Sequence, residues 1–314
     1  MLKYIVILLD DSSPSYCHYN GKKESNLIPL DTLSKGILFA MKHDLRIQYV
    51  LPNYDLPRAY IELINSMFHD TIGNLKQGNI SDIVVVEGLH ELNVNSEKLD
   101  AGKRYLVRAD IQEFFSGYRV VANVLSRNIS LNVVFTNVES FSDNDINTYA
   151  GILKELAASL KETILNGGNA NTNLLTDRIA LDEMNNCGAG DSSITLAPDG
   201  KFYPCPAFYY DNDAYGQLGD VVSGVTIPNK KLYTLEGAPL CRRCDAYHCK
   251  RCVWQNKKLT YELNIPSHQQ CVMAHVERNA SRELLEAFHQ LGILKEKNIE
   301  VVDYLDPFDK FQSI

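Results

Sequence analysis

Seven of the eight cysteines lie between Cys187 and Cys271, and their spacing is the strongest chemical signal in the chain. Thiolates are soft anionic ligands for zinc and iron–sulfur clusters, and a C-x2-C pair lets two of them reach one metal. Such paired spacing rarely arises among thiols that are merely buried, so the pattern predicts a metal-binding segment. The candidate ligands are Cys187, Cys205, Cys241, Cys244, Cys249, Cys252 and Cys271.

The spacing of these cysteines is C-x12-G-x4-C, then C-x2-C-x4-C-x2-C, then a last cysteine after a gap. It resembles the SPASM domain, the auxiliary iron–sulfur module behind radical SAM cores in peptide-modifying enzymes. The first block, including the run PDGKFYPC, falls within the family range. The middle block departs from the family form C-x2-C-x5-C-x3-C, because each of its last two gaps is one residue shorter.

The resemblance implies two ligand sets. Cys241, Cys244, Cys249 and Cys271 would hold one site, and Cys187, Cys205 and Cys252 would hold a second that lacks a fourth thiolate. The second site would be open, completed by another group, or empty. His248 is a conceivable ligand, although a solvated surface histidine is the favoured interpretation. One or two 4Fe-4S clusters are expected, with zinc as the alternative, because four thiolates suit either metal group.

Short apolar runs alternate with helical patterns through the first half of the chain. Continuous apolar runs are typical of strands buried on both faces, and the alternation indicates parallel strands joined by crossover helices. A Ser-x-x-Asp capping box at Ser142 starts one helix, whereas residues 88–103 are expected to form a loop. Strands are predicted at Tyr4–Leu9, Leu45–Leu51, Asp82–Val86, Arg104–Arg108 and Ile129–Phe135, and the other helices at 32–43, 58–76 and 111–126.

The loop after the first strand, DDSSPSYCHYN, resembles the cluster-binding loop of radical SAM enzymes without its chemistry. That family places cysteines at C-x3-C-x2-C, and here the same spacing gives Ser13, Cys17 and Asn20. The Gly-Gly-Glu-Pro turn that binds SAM in the family is replaced by Pro52-Asn53-Tyr54-Asp55. The resemblance therefore implies a degenerate radical SAM barrel in which SAM is not expected as a cofactor. Radical SAM activity is predicted to be absent.

The predicted fold class is α/β: a partial (β/α) radical-SAM-like barrel followed by a small cysteine-rich SPASM-type α+β domain. The second part is predicted to contain a hairpin with its turn at Pro198-Asp199-Gly200 and an amphipathic helix over residues 275–291. Four segments are expected: a degenerate β/α domain at 1–165, a linker at 166–180, a metal-binding domain at 181–295 and a tail at 296–314.

Charge and hydrophobicity exclude several classes of protein. A net charge of −8 and a pI near 5.5 argue against nucleic acid as a partner, because phosphate binding needs a basic surface. No apolar run approaches the length of about 20 residues needed to span a membrane. The opening MLKYIVILLDD favours a first strand over a signal peptide, so a cytoplasmic location and no membrane partner are expected. Between Lys230 and Lys258, however, there are eight basic residues and two acidic ones. Three interpretations of this basic stretch stay open: cations that lower thiolate pKa values, a docking surface for an acidic peptide or partner, and a solvated basic face without a partner.

A SPASM-like segment behind a barrel without cluster cysteines resembles the family called CXXX repeat peptide maturases. The resemblance implies an accessory role in maturing a ribosomally synthesised, post-translationally modified peptide. The expected partners are the cysteine-repeat precursor peptide and a partner radical SAM enzyme. Two alternatives remain open: an independent peptide-modifying enzyme acting at an open-coordination cluster, and a zinc-stapled binding protein.

Overall fold

The computed structural model describes residues 2–22, 24–213, 216–294 and 297–299, and the chain divides into two compact units. Unit 1 comprises Met1–Val85 and Gly188–Thr234, and unit 2 comprises Val86–Cys187 and Leu235–Ile314. Each unit thus combines an early and a late part of the chain. The segment boundaries at 165, 180 and 295 stay a prediction.

The first half of the chain contains β1 (Tyr4–Leu8), α1 (Leu30–Lys42), β2 (Arg46–Val50), α2 (Arg58–Ile64), β3 (His69–Asn74), β4 (Ile83–Glu87), α3 (Gly88–Asn95), β5 (Arg104–Ala109), α4 (Ile111–Ser126), β6 (Leu131–Phe135) and α5 (Ile146–Leu165). The second half contains α6 (Thr176–Ala180), β7 (Ser193–Leu196), β8 (Lys201–Tyr203), α7 (Pro206–Tyr210), β9 (Gly219–Asp220), β10 (Gly224–Val225), α8 (Val253–Thr260) and α9 (His268–Gln290). Among the helices that the structure describes, none is both long enough and apolar enough to cross a membrane.

Unit 1 is built on a mostly parallel sheet. Strand β1 pairs in parallel with β2 and β7, so that Tyr4 lies opposite both Arg46 and Ser193. The parallel pairing continues from β2 to β3 and from β3 to β4, while β8 and β9 extend the sheet antiparallel beyond β7. The carboxyl ends of β1 and β2 therefore meet at one edge of the sheet, which is where α/β folds usually place ligands.

Unit 2 packs helices around the parallel pair β5 and β6, in which Tyr105 lies opposite Leu131. Helix α5 contacts both α4 and α9. The apolar stripe that predicts its buried face is confirmed, because Tyr149, Leu153 and Leu156 are fully buried. The predicted capping box is also present, since the Ser142 hydroxyl and backbone N–H both donate to the Asp145 carboxylate just before α5.

The α/β class and the parallel strands are confirmed, and two local predictions are wrong. The helix predicted over 58–76 ends at Ile64, and β3 follows it. Strand β3 has few apolar residues, but the Asp82 carboxylate accepts hydrogen bonds from the Thr71 amide and hydroxyl, at 2.8 and 2.9 Å. The loop predicted over 88–103 instead begins with helix α3, where the Leu89 N–H donates to Glu113 at 2.6 Å.

The predicted hairpin is confirmed as β7 and β8, which pair Thr195 with Tyr203. Gly200 in its turn has a φ of 79°, a left-handed conformation that glycine adopts without strain. Strand β8 ends at Tyr203, so Cys205 lies beyond the second arm of the hairpin, at the N-cap position of α7.

Candidate metal centre

The structure divides the seven predicted ligands between the two units. Cys205 lies in unit 1, and the other six cysteines lie in unit 2. Within unit 2, four cysteines line one small cavity of about 20 Å³. These four are Cys241, Cys244, Cys249 and Cys271, the set that the resemblance assigns to a single site.

A tight turn and a helix carry these cysteines. Residues Cys241–Arg243 form a 3₁₀ turn, and the Cys244 N–H donates to the Cys241 carbonyl at 3.1 Å. A turn of this kind lets the thiols of a C-x2-C pair approach one metal. Cys271 lies in the first turn of α9, whose N-cap residue Ser267 accepts a hydrogen bond from the Gln270 N–H at 3.2 Å. Backbone and cap hydrogen bonds therefore hold both supporting segments.

His275 is a residue of this cavity that the sequence analysis misses. It lies four residues after Cys271, and therefore on the same face of α9. Its side chain is buried and lines the cavity, with Nε2 3.4 Å from the Cys244 sulfur. The spacing Cys271-x3-His275 is the signal that predicts it, because zinc ligands on a helix commonly lie three to five residues apart.

The cavity disfavours charged thiols in the absence of a cation. Burial raises the pKa of the Cys244 thiol to about 12, although a hydrogen bond from the Ala246 N–H acts to lower this pKa. Burial also raises the pKa of Cys249 to about 12, and the nearby charge of Cys241 adds to this effect. These thiols are therefore neutral at pH 7 when no metal is bound. A bound cation favours the thiolate form, so that metal binding releases protons.

Buried ionic groups surround the cavity. Arg278 on α9 and Asp245 form an ion pair at 2.6 Å, and both side chains are about 4% exposed. His248 is also buried, so its interpretation as a solvated surface histidine is wrong. Its Nε2 lies 2.9 Å from a carboxylate oxygen of Glu277, and the Tyr149 hydroxyl donates to the same carboxylate. Helix α9 thus tethers the cysteine loop through two separate polar contacts.

The other predicted ligand set includes residues of both units. Cys187 is exposed, and its sulfur lies 3.9 Å from the Arg251 carbonyl oxygen. Cys252 is buried at the N-cap of α8. Cys205 belongs to the other unit, at the N-cap of α7. A second metal site made from Cys187, Cys205 and Cys252 stays a prediction.

The basic stretch from Lys230 to Lys258 is only partly a free surface. Arg251 is completely buried, and its Nε donates to the Asn186 side chain at 3.0 Å. Three of the lysines lie within 4 Å of a carboxylate: Lys230 with Asp191, Lys250 with Asp177 and Lys258 with Glu139. Arg242 and Arg243, which lie between Cys241 and Cys244, are exposed.

The loop after β1 holds a polar network at the positions where radical SAM enzymes carry their cluster-binding cysteines. Ser13 is buried, and its hydroxyl donates to the Val50 carbonyl at 3.1 Å. Asp10 is completely buried and accepts hydrogen bonds from the hydroxyls of Tyr54, at 2.9 Å, and Ser25, at 3.0 Å. Tyr54 belongs to the segment that replaces the family's SAM-binding turn. Hydrogen bonds therefore join the two altered loops directly.

The known proteins that are similar to this chain are found among solved structures. No protein-family model and no curated protein matches the chain. A solved structure of hexahistidine-tagged anSMEcpe with bound AdoMet is similar at 13% identity over 90% of this chain and 98% of that chain, with a TM-score of 0.48. The Streptococcus suis protein SuiB, bound to precursor peptide SuiA, is similar at 10% identity over 68% of this chain and 62% of that chain, with a TM-score of 0.38.

Proposed function

We propose that this chain binds a metal group through the cysteine cavity of unit 2 and uses that unit in the maturation of a peptide. The observation that carries the metal proposal is that Cys241, Cys244, Cys249 and Cys271 line one cavity. Four sulfur donors fit the chemistry of an iron–sulfur cluster and of zinc. The SPASM resemblance favours iron–sulfur, and zinc is the alternative.

The proposed role is that of an accessory maturation protein. It would bind a cysteine-repeat precursor peptide, a partner radical SAM enzyme, or both, without cleaving SAM itself. The polar network of Asp10, Ser13 and Tyr54 supports this view, because the Ser13 hydroxyl and the Asp10 carboxylate are already hydrogen-bonded within the protein. The alternative, an independent enzyme acting at an open-coordination cluster, requires the Cys187, Cys205 and Cys252 set.

A groove between α5 and α9 supports binding of an acidic peptide. It has a volume of about 690 Å³, and small alanine side chains form much of its floor. Lys154, Lys161 and Arg282 line it, against one carboxylate, that of Glu283. His275 lines both this groove and the cysteine cavity. A peptide in the groove would therefore lie next to the proposed metal site.

The test of the metal proposal is anaerobic purification followed by metal and sulfide analysis. Bound metal is expected, and Cys244→Ser should remove most of it and lower the melting temperature, because metal-binding free energy is largely folding free energy in cysteine-rich segments. Cys17→Ser is the matched control, since Cys17 lies in unit 1, far along the chain from the cavity residues. A Cys244→Ser protein with the metal content and melting temperature of the wild type would contradict the proposed site.

The test of the peptide role is a calorimetric titration of the metal-loaded protein with a cysteine-repeat precursor, together with a pull-down of the partner radical SAM enzyme. Binding to at least one of them at tens of micromolar or below is expected. No binding to either would leave independent catalysis as the better account.

A further inference from the structure

The strongest unassigned feature is the pairing of Cys244 with His275. Their ligand atoms lie 3.4 Å apart at the edge of one cavity, and both side chains are largely or partly buried. Asp245 lies close to both, but its carboxylate already forms the buried ion pair with Arg278. Cys244 and His275 are therefore two lining residues of this cavity whose donor atoms are in direct contact.

The distance between the two atoms fits ligands that share one ion. Zinc binds cysteine sulfur at about 2.3 Å and histidine nitrogen at about 2.0–2.1 Å, so a tetrahedral angle separates the two ligand atoms by about 3.5 Å. Ligands of a four-iron cluster bind different iron atoms and lie farther apart. The cavity of about 20 Å³ also holds one small guest, since a single water requires about 10–15 Å³.

We propose that Cys244 and His275 bind one tetrahedral zinc ion and that two further cysteines of the same cavity complete its coordination shell. The inference rests on the proposed metal centre and changes its donor set from four thiolates to three thiolates and one imidazole. A turn supplies the C-x2-C pair, and α9 supplies the Cys-x3-His pair. Such a combination of a paired turn and a paired helix is typical of structural zinc sites.

The inference is tested first on the wild-type full-length protein, purified without oxygen. Elemental analysis should find about one zinc per chain and no acid-labile sulfide. X-ray absorption at the zinc edge should require one nitrogen at about 2.0–2.1 Å besides sulfur at about 2.3 Å. A shell of four sulfurs would overturn the inference. This measurement needs no variant and so does not depend on a mutant folding.

Variants of His275 then test its part in the site. His275→Ala should weaken zinc binding by more than about 100-fold, beyond the roughly 10–100-fold that loss of a group hydrogen-bonded to a ligand costs. His275→Cys should restore binding, and with cobalt in place of zinc it should strengthen the thiolate-to-metal absorption band. Wild-type zinc affinity in His275→Ala would overturn the assignment.

The outcomes also separate this inference from the proposed function. Iron and sulfide held by four thiolates would overturn the zinc assignment and leave the proposed metal centre intact. A protein without any bound metal would overturn both.

Discussion

The buried ion pair of Arg278 and Asp245 joins helix α9 to the loop that carries Cys244. Replacing Arg278 with Ala removes the cation that forms an ion pair with the buried Asp245 carboxylate, and loss of one partner of a buried pair costs about 3–5 kcal/mol. We expect the free energy of unfolding, measured in urea, to fall by that amount. Arg58→Ala is the control, because Arg58 forms an exposed pair with Glu62 and should change stability little. Equal effects of the two substitutions would contradict the role given to Arg278.

Some residues of the candidate site can be predicted from the sequence alone, and others cannot. The spacing of Cys241, Cys244, Cys249 and Cys271 is enough to group them, because thiol pairs carry a strong pattern. His275 is not predicted, because one histidine on an amphipathic helix carries no signal by itself. Only its spacing of four residues from Cys271 indicates a shared site. Arg251 counts toward a basic surface in the sequence, but it is buried against Asn186. Sequence records its charge and not the tertiary partner that removes it from solvent.

Helix α9 is the element on which the site depends most. The N-cap residue of α9, Ser267, accepts a hydrogen bond from the Gln270 N–H. Ser267 lies one helical turn before the cavity residue Cys271. Ser267→Ala should cost about 0.5–2 kcal/mol of stability and should also weaken metal retention, because the capped turn carries a proposed ligand. Competition with a chelator measures the retention.

The matched control for α9 is the N-cap of α4. Asp110 accepts from the Glu113 N–H at 2.7 Å, and α4 carries none of the proposed ligands. Asp110→Ala should lower stability to a similar extent without changing metal retention. If both cap variants release metal equally, the effect is general destabilisation and not a property of α9.

Elements with strong local signals are the ones that sequence predicts correctly. The positions of β1 and β2 follow from continuous apolar runs. Those of α4 and α5 follow from apolar residues repeated at helical spacing. Strand β3 is missed because its sequence, HDTIGN, is half polar and its hydrogen-bond partners come from β2 and β4. Helix α3 is missed because a distant side chain supports its start: the Glu113 carboxylate on α4 accepts a hydrogen bond from the Leu89 N–H. Both depend on partners that are distant in sequence.

At the scale of the whole molecule, the units are discontinuous, and this could not be predicted from composition. Strand β7 follows the cysteine Cys187 in sequence but pairs with β1, so the late segment belongs to the same sheet as the first strand. A parallel pairing across nearly 190 residues leaves no local pattern in either strand. The clustering of the cysteines instead predicts a domain boundary before Cys187.

Unit 1 should not cleave SAM. The three family cluster positions are Ser13, Cys17 and Asn20, and one thiol cannot hold three irons. Incubation of the intact protein with SAM and a strong reductant should yield no 5′-deoxyadenosine above background. A radical SAM enzyme assayed in parallel is the positive control, and product formation that depends on Cys17 would contradict the degenerate-barrel interpretation.

The groove of unit 2 leads to a prediction about association with a peptide. Reversing Lys154 and Lys161 to Glu should weaken binding of an acidic precursor roughly 2- to 30-fold, because each exposed ion pair contributes about 0.2–1 kcal/mol. The difference from the wild type should shrink as salt rises, since exposed charges are screened over about 8 Å at physiological ionic strength. Titration calorimetry at several salt concentrations measures both effects.

The matched control changes the net charge equally in another part of the chain. Lys42 and Lys76 are exposed residues of unit 1, and their replacement by Glu gives the same overall charge as the groove variant. If net charge alone governed association, the two double variants would weaken binding equally. If the groove binds the peptide, the Lys154 and Lys161 variant should lose affinity while its metal content stays unchanged, because neither lysine lines the cysteine cavity. Equal losses from both variants would therefore move the peptide site away from α5 and α9 without affecting the metal assignment.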